Sequence, residues 1–307
     1  MRVAIVGAGM AGLACADALV AAGYGTALFD KGRGPGGRMS TRRTEHGAFD
    51  HGAQYLTARD PAFLAQVKAW EAAGVVAPWP AAGPDAWVGT PGMSAPVRAM
   101  AAGHDVRWSA RVDALRRDGS DWVLEGVDAA EPFDAVVIAL PAEQAAPLLA
   151  PHRPGFAATA AASRTLPCWT VMAAFDAPLP VAADVIRNAG AIGWAARDGA
   201  KPGRAGGETW VVQADPDWSQ AHLEDEPDEV AAALIDLLAR HLGAALPPPV
   251  HLAAHRWRYA RSRPPADARG ALWDAGAGLG ACGDWLLAPR VEAAWASGRR
   301  LATLMAG

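Results

Sequence analysis

Apolar and polar positions along the chain follow two periods, and the changes of period mark out its elements. Residues 2–6 are a short apolar run ending at Gly7, the pattern of a buried strand. Residues 10–22 carry apolar and small side chains at helical spacing until Gly23 interrupts them. Residues 25–30 form a second strand ending at Asp30, which completes a β-α-β unit of about 30 residues. A Gly/Arg-rich loop over 32–38 follows. Residues 61–73 are helical, with Pro61 in the first turn behind Asp60 as the cap. Prolines 78, 80, 84 and 91 make 77–92 irregular or short-stranded. Residues 105–127 alternate as strands about an Asp118-Gly119 hairpin turn. Asp134 opens a buried strand over 135–140 that Pro141 cuts. Further strands are expected at 168–175, 208–214, 250–260 and 279–283. Residues 226–242 make an amphipathic helix with acids first and Arg240-His241 last, as the helix dipole prefers. After it Pro247-Pro248-Pro249 marks a crossing, and 290–305 is the final helix. The strand-rich stretch of about 155–250 differs from the β-α-β start and reads as a second domain inserted into the first.

Composition narrows the class of protein. With 51% hydrophobic and 20% charged residues the 307-residue chain is globular rather than disordered. A net charge of −4 argues against a nucleic-acid partner. No run of 18 apolar residues appears, so no membrane partner is expected, and the glycines at 7 and 9 interrupt what would be the core of a signal peptide. Cys15, Cys168 and Cys282 are odd in number and widely spaced; they form neither a metal motif nor a disulfide framework, which fits a cytoplasmic protein. Lysine occurs only at 31, 68 and 201, so the positive charge is nearly all arginine; with 13 tryptophans to three tyrosines, this reads as GC-rich coding composition.

The chemistry-bearing motif is Gly7-x-Gly9-x-x-Gly12, set between a strand and a helix, with Asp30 closing the next strand. Gly7 permits the tight turn, Gly9 removes the Cβ that would block a pyrophosphate, and Gly12 lets helix and strand approach. The amides of Met10, Ala11 and Gly12 open the helix and can face a phosphate. Asp30 is placed to hydrogen-bond a ribose diol. The motif specifies a dinucleotide and leaves FAD and NAD equally open.

Five further segments carry a resemblance. VAIVGAGMAGL, DKGRGPGGRMSTRR, FDHGAQYLTARD, HRWRYA and GDW…PRVEAAWASGRRLA together make the chain resemble the flavin-containing amine oxidase superfamily, and within it the renalase-like flavoproteins. The resemblance implies an α/β (α+β overall) fold. Its Rossmann-like FAD-binding domain is discontinuous (1–60, 93–155 and 262–307), and its smaller sheet-based substrate domain is inserted (61–92 and 156–261). It implies FAD as cofactor, held by the fingerprint glycines and Asp30, by the neighbouring Lys31, and by Gly37 and Arg38 near the pyrophosphate or flavin edge. Gln54 and Tyr55 would line the isoalloxazine, and Val112 would meet adenine through its backbone. Gly283 and Asp284 would return to the pyrophosphate–ribityl stretch, and the helix opening at Val291 would aim its positive end at the flavin. One departure stands out. Many amine oxidases hold a lysine–water pair at the flavin, and none of the three lysines has an obvious position for it.

On the substrate side, 255–261 alternates with period two. His255, Trp257, Tyr259 and Arg261 share one face, able to stack a flat heterocycle and hydrogen-bond a carboxamide, or simply to face a core. His51, beside Asp50, reads as a structural loop histidine. The resemblance implies oxidation of 2-dihydro and 6-dihydro isomers of NAD(P)H, with hydride passed to flavin N5 and O2 reduced to H2O2. His255, Trp257 and Tyr259 would orient the ring. Such a reaction aromatises a dihydropyridine and needs no base. A flavin amine or amino-acid oxidase, a desaturase-type FAD dehydrogenase, and a non-catalytic nucleotide-binding protein are the alternatives.

Overall fold

The computed structural model describes residues 1–128 and 132–307. The opening unit is β1 (Arg2–Val6), α1 (Met10–Ala21) and β2 (Gly25–Phe29). β1 pairs in parallel with β2 on one side (Val3 opposite Thr26) and with the strand Ala135–Ile138 on the other (Val3 opposite Ala135). A six-stranded sheet grows from this centre. Its order is Leu272–Asp274, Leu279–Ala281, Ala135–Ile138, β1, β2, Val106–Arg107, parallel except for the first pair. Its central strands are apolar where they are buried (Val3–Val6, Ala27–Phe29 and Ala135–Ile138) because both faces are covered there. Val3 and Ile5 enter a core under α1, while Ala4 and Val6 enter a second core with Trp122, Phe133 and Trp285.

α1 shares its face of the sheet with the C-terminal helix Val291–Ala306, and two glycines set how closely the parts approach. A Cβ on Gly12 would lie 1.9 Å from the Gly7 carbonyl oxygen, and one on Gly298 would lie 2.1 Å from that of Ala11. The first contact closes the fingerprint turn; the second seats the last helix on the first.

A five-stranded antiparallel sheet forms the other half, in the order Val185–Ala189, Ile192–Arg197, Glu208–Ala214, Arg164–Phe175, His251–Arg263. The helix Pro227–Leu242 covers one face with Val230, Leu234 and Leu238, and ends on Gly243 in the left-handed conformation, φ 63°. This sheet lies in sequence between strands of the six-stranded sheet. A small sheet of Leu56–Thr57, Ala86–Gly89 and Val76–Pro78 accompanies the helix Pro61–Ala72. As the sequence indicates, Asp60 caps that helix, accepting from the amides of Ala62 (2.9 Å) and Phe63 (3.0 Å). Phe63 meets Trp295 of the C-terminal helix at 5.2 Å, and the Glu292 carboxylate accepts the amides of Arg59 and Asp60, each at 2.6 Å.

The elements expected from periodicity are present, with shifted ends. The strand expected at 135–140 stops at Ile138, although the Ala139 amide still donates to Val6. The strand expected from 168 starts at Arg164. Val185–Ala189 and Ile192–Arg197 carry polar and small residues that blur their alternation, and Ala142–Leu149 and Pro154–Ala162 each contain a proline that reads as a break. Among the described residues no helix is long and apolar enough to cross a membrane.

Gly298→Ala is expected to destabilise the protein by about 1–3 kcal/mol through overpacking against α1. Gly103→Ala, whose new Cβ would find its nearest neighbour at 3.6 Å, is expected to change stability by less than about 0.5 kcal/mol. Denaturant unfolding of the two variants side by side checks both.

Candidate active site

A cavity of about 540 Å³ opens where the two large sheets meet. On the first side Gly9, Met10 and Ala11 line it at the mouth of α1. No heavy atom lies within 4 Å of where a Cβ on Gly9 would sit, so the space against the turn is open, as a bound pyrophosphate requires. α1 begins at Gly9 with no side-chain cap, and its first amides are free to serve an anion. Gly36, Arg38 and Met39 continue the wall, followed by Gln54 and Tyr55. Gly283, Asp284 and Val291 close it, the last at the start of the 16-residue C-terminal helix, which also lacks a side-chain cap. Two uncapped helix openings thus meet one cavity, and the residues present fit a flavin dinucleotide.

The other predicted residues lie around this wall rather than in it. Gly7 and Gly12 shape the turn behind Gly9. Asp30 accepts the amides of Ala8 (2.8 Å) and Gly32 (2.7 Å), tying the end of β2 to the fingerprint turn. Lys31 is exposed and donates to Gln144 at 3.1 Å. Gly37 adopts φ +52° inside the Arg-containing loop, and Val112 is buried in the core on the far face of the sheet.

Arg38 and Asp284 meet each other. The guanidinium grips the carboxylate with both Nη atoms, one at 3.0 Å, and Ser262 donates its hydroxyl to the same carboxylate at 2.6 Å. Their separation of 246 residues hides this pair from the sequence.

Across the cavity the antiparallel sheet supplies Trp194, Gln213, Trp257, Ala260 and Arg261. The strict alternation expected for 255–261 is broken here. Leu166 pairs with Arg261 but Cys168 pairs with Trp257, so the strand carries a bulge between these positions. Trp257 and Arg261 face the cavity, whereas Tyr259 and His255 do not line it. His255 stands behind Trp257, ring centroids 4.5 Å apart, and meets His51 edge-on at 5.0 Å. Trp194 packs against Tyr55 at 5.2 Å, and its Nε1 is buried without a protein partner. Trp194, Gln213, Arg59 and Arg290 line the cavity without having been singled out, because nothing local in their sequence sets them apart.

Behind Gln54 lies a buried charged cluster. Lys201 is 2% exposed and reaches Asp198 at 2.5 Å, Asp50 at 3.2 Å and the Gln54 Oε1 at 3.2 Å. Arg204 also grips Asp50. Burial opposes ionisation of Asp50, but Lys201 and Arg204 outweigh it and hold the carboxyl below the usual range. Asp198 is pushed up by burial against the pull of Lys201. Lys201 does not line the cavity; among the described residues no lysine does.

A sequence model described as flavin containing amine oxidoreductase matches residues 81–306, and one described as NAD(P)-binding Rossmann-like domain matches residues 5–69. The fold is similar to that of a protein from Exiguobacterium sp. 255-15 assigned as a protoporphyrinogen oxidase (TM-score 0.77, 14% identity, covering 99% of this chain and 98% of that one). It is also similar to cyclohexylamine oxidase from Brevibacterium oxydans IH-35A (0.71, 15%, 99% and 98%) and to putrescine oxidase bound to putrescine (0.72, 17%, 99% and 99%). Identities this low establish a shared fold and leave the substrate open.

Burial, then the neighbouring His255 and Arg42, lowers the His51 pKa to about 4; burial and Arg42 lower that of His255 to about 4. Both rings are neutral at pH 7. Between about pH 6.5 and 4 the unfolded chain binds the protons that the folded one refuses, so stability is full above this window and falls as pH drops through it. Thermal midpoints measured from pH 7 to 4 are expected to fall less steeply for His51→Gln than for the unaltered protein, and parallel slopes would contradict the neutral assignment.

Proposed function

Because the chain belongs to the flavin-containing amine oxidoreductase family, whose cofactor is FAD, we propose that it is an oxidase for an anionic dihydropyridine: a 2-dihydro or 6-dihydro isomer of a reduced nicotinamide dinucleotide. The observation that carries this reading is the charge of the cavity. Arg38, Arg59, Arg261 and Arg290 line it against one carboxylate among the described residues, Asp284, which Arg38 and Ser262 engage. From outside the lining Asp85 pairs with Arg59 (3.3 Å) and Glu292 with Arg290 (3.9 Å), and Arg261 has no ion pair among the described residues. A protonated amine meets repulsion there, while a pyrophosphate finds planar guanidinium forks.

Uncapped amides at Met10–Ala11 and at Val291 would hold the cofactor's charged parts, beside Gly9, Arg38 and Gly283. FAD, when bound, would supply the hydride acceptor and the route by which the electron pair reaches O2, which with a proton from water gives H2O2. The protein's own work is orientation. Tyr55, Trp194 and Trp257 present aromatic surface to a flat ring, and Gln54, held through its Oε1 by Lys201 and through its Nε2 by the carbonyls of Asp50 and Gly52, has a fixed pose at the wall. Arg261 and Arg290 bind the substrate phosphates. No histidine, lysine or glutamate lines the cavity among the described residues. A dihydropyridine needs none, because the ring-nitrogen lone pair drives hydride loss and the product is aromatic. His255, one layer back, positions Trp257.

Anaerobic stopped-flow mixing tests the reading. The 2-dihydro and 6-dihydro isomers are expected to bleach the flavin absorbance within the mixing experiment while primary amines leave it unchanged, and readmitted air is expected to restore the colour with release of H2O2. Bleaching by amines alone would replace this reading with amine oxidation; slow recovery in air would replace it with a dehydrogenase. Arg261→Ala is expected to weaken binding of the dinucleotide about tenfold, seen as a raised KM.

A further inference from the structure

A second cavity, of about 660 Å³, lies apart from the first and shares no lining residue with it. It is framed by the hairpin Arg42–Thr44/Gly47–Phe49, the loop and short helix over 90–102, and the loop 199–206. Its lining has one sign of charge. Arg43, Arg98 and Arg204 face it, and among the described residues no carboxylate does. Arg43 and Arg98 enter no ion pair or side-chain hydrogen bond among the described residues. Arg204 is anchored from behind by Asp50 and by the carbonyl of Gly89 at 2.8 Å; its side chain is 3% exposed, and its Nε is buried without a partner.

Neutral polar groups there are also unmatched. Ser94 and Thr209 line the cavity at 7% and 3% exposure, and their hydroxyls form no hydrogen bond among the described residues. Buried polar groups are ordinarily satisfied, so the unpartnered Nε of Arg204, together with the two free hydroxyls, marks a place where a ligand or water completes the bonding. The remaining wall is apolar: Ala48, Val75, Pro91, Ala95 and Ala99.

We propose that this cavity is a binding site, separate from the cofactor cavity, for a small organic carboxylate with an apolar body. The carboxylate meets Arg43, Arg98 and the inner Arg204, and the body lies on the alanine-lined wall. Carboxylate suits planar guanidinium donors, and the apolar lining selects against a free inorganic anion.

Calorimetric titration of the FAD-loaded protein tests this with 4-phenylbutyrate as probe, against 4-phenylbutan-1-ol and inorganic phosphate. The acid is expected to bind at least about tenfold more tightly than the alcohol, the difference of one charge-assisted contact, and more tightly than phosphate. The Arg43→Ala/Arg98→Ala double variant removes two exposed, unpaired side chains and is expected to retain its flavin spectrum while losing binding of the acid by a similar factor. Arg261→Ala, in the other cavity, is expected to retain it. The proposal is overturned if the acid does not bind, if the alcohol or phosphate binds as well, if the double variant retains the affinity, or if Arg261→Ala abolishes it.

Discussion

One carboxylate joins three parts of this chain. Asp284, from the turn before the C-terminal helix, accepts both Nη atoms of Arg38, from the loop after the opening β-α-β unit, and the hydroxyl of Ser262, near the end of the long strand of the antiparallel sheet. The cavity proposed to hold the cofactor is lined from all three segments or their neighbours, so its shape depends on their staying together. Asp284 is nearly buried, and removing one partner of a buried pair leaves an uncompensated charge that typically costs about 3–5 kcal/mol. Such a pair adds less to net stability than its distances suggest, because desolvation offsets the attraction. Its effect here is registry: it fixes which loop faces which strand.

A second polar centre acts beside it. Asp50 takes the Thr41 hydroxyl (2.7 Å) and the Met93 amide (2.8 Å) as well as Lys201 and Arg204, and its amide donates to Asp198 at 3.1 Å. Two carboxylates and two cations, nearly excluded from water, thus stand between the two cavities. Lys201 faces Gln54 and the cofactor side; Arg204 faces the other. A lysine held this firmly by acids is a structural cation, which accords with its absence from the cavity wall.

How much of this was legible in the sequence follows from the range of each interaction. The β-α-β unit, the fingerprint turn and the Asp60 cap are local, and they appear where periodicity and glycine spacing put them. Gly283, Asp284 and Val291 were legible only through resemblance, because their meaning depends on a partner at the other end of the chain. The face of 255–261 was misaligned for a local reason: alternation assumes an unbroken strand, and the bulge opposite Leu166–Cys168 turns Tyr259 away while bringing Ala260 in. Lys201 and Arg204 sit in a Gly/Pro-rich loop that reads as solvated, and only tertiary burial reveals them. Trp194 is one of 13 tryptophans, and nothing in the sequence around it sets it apart from the others.

The seating of the last helix on the first ties two distant stretches of the chain into one cavity wall. The cavity wall includes Gly283, Asp284, Pro289, Arg290 and Val291, and Gly298, further along the same helix, lies against Ala11 at the other side of the cavity's opening turn. A chain cut before residue 283 would keep the glycine turn at 7–12 and lose the opposite wall of the cavity, with Asp284 and the helix that packs on α1.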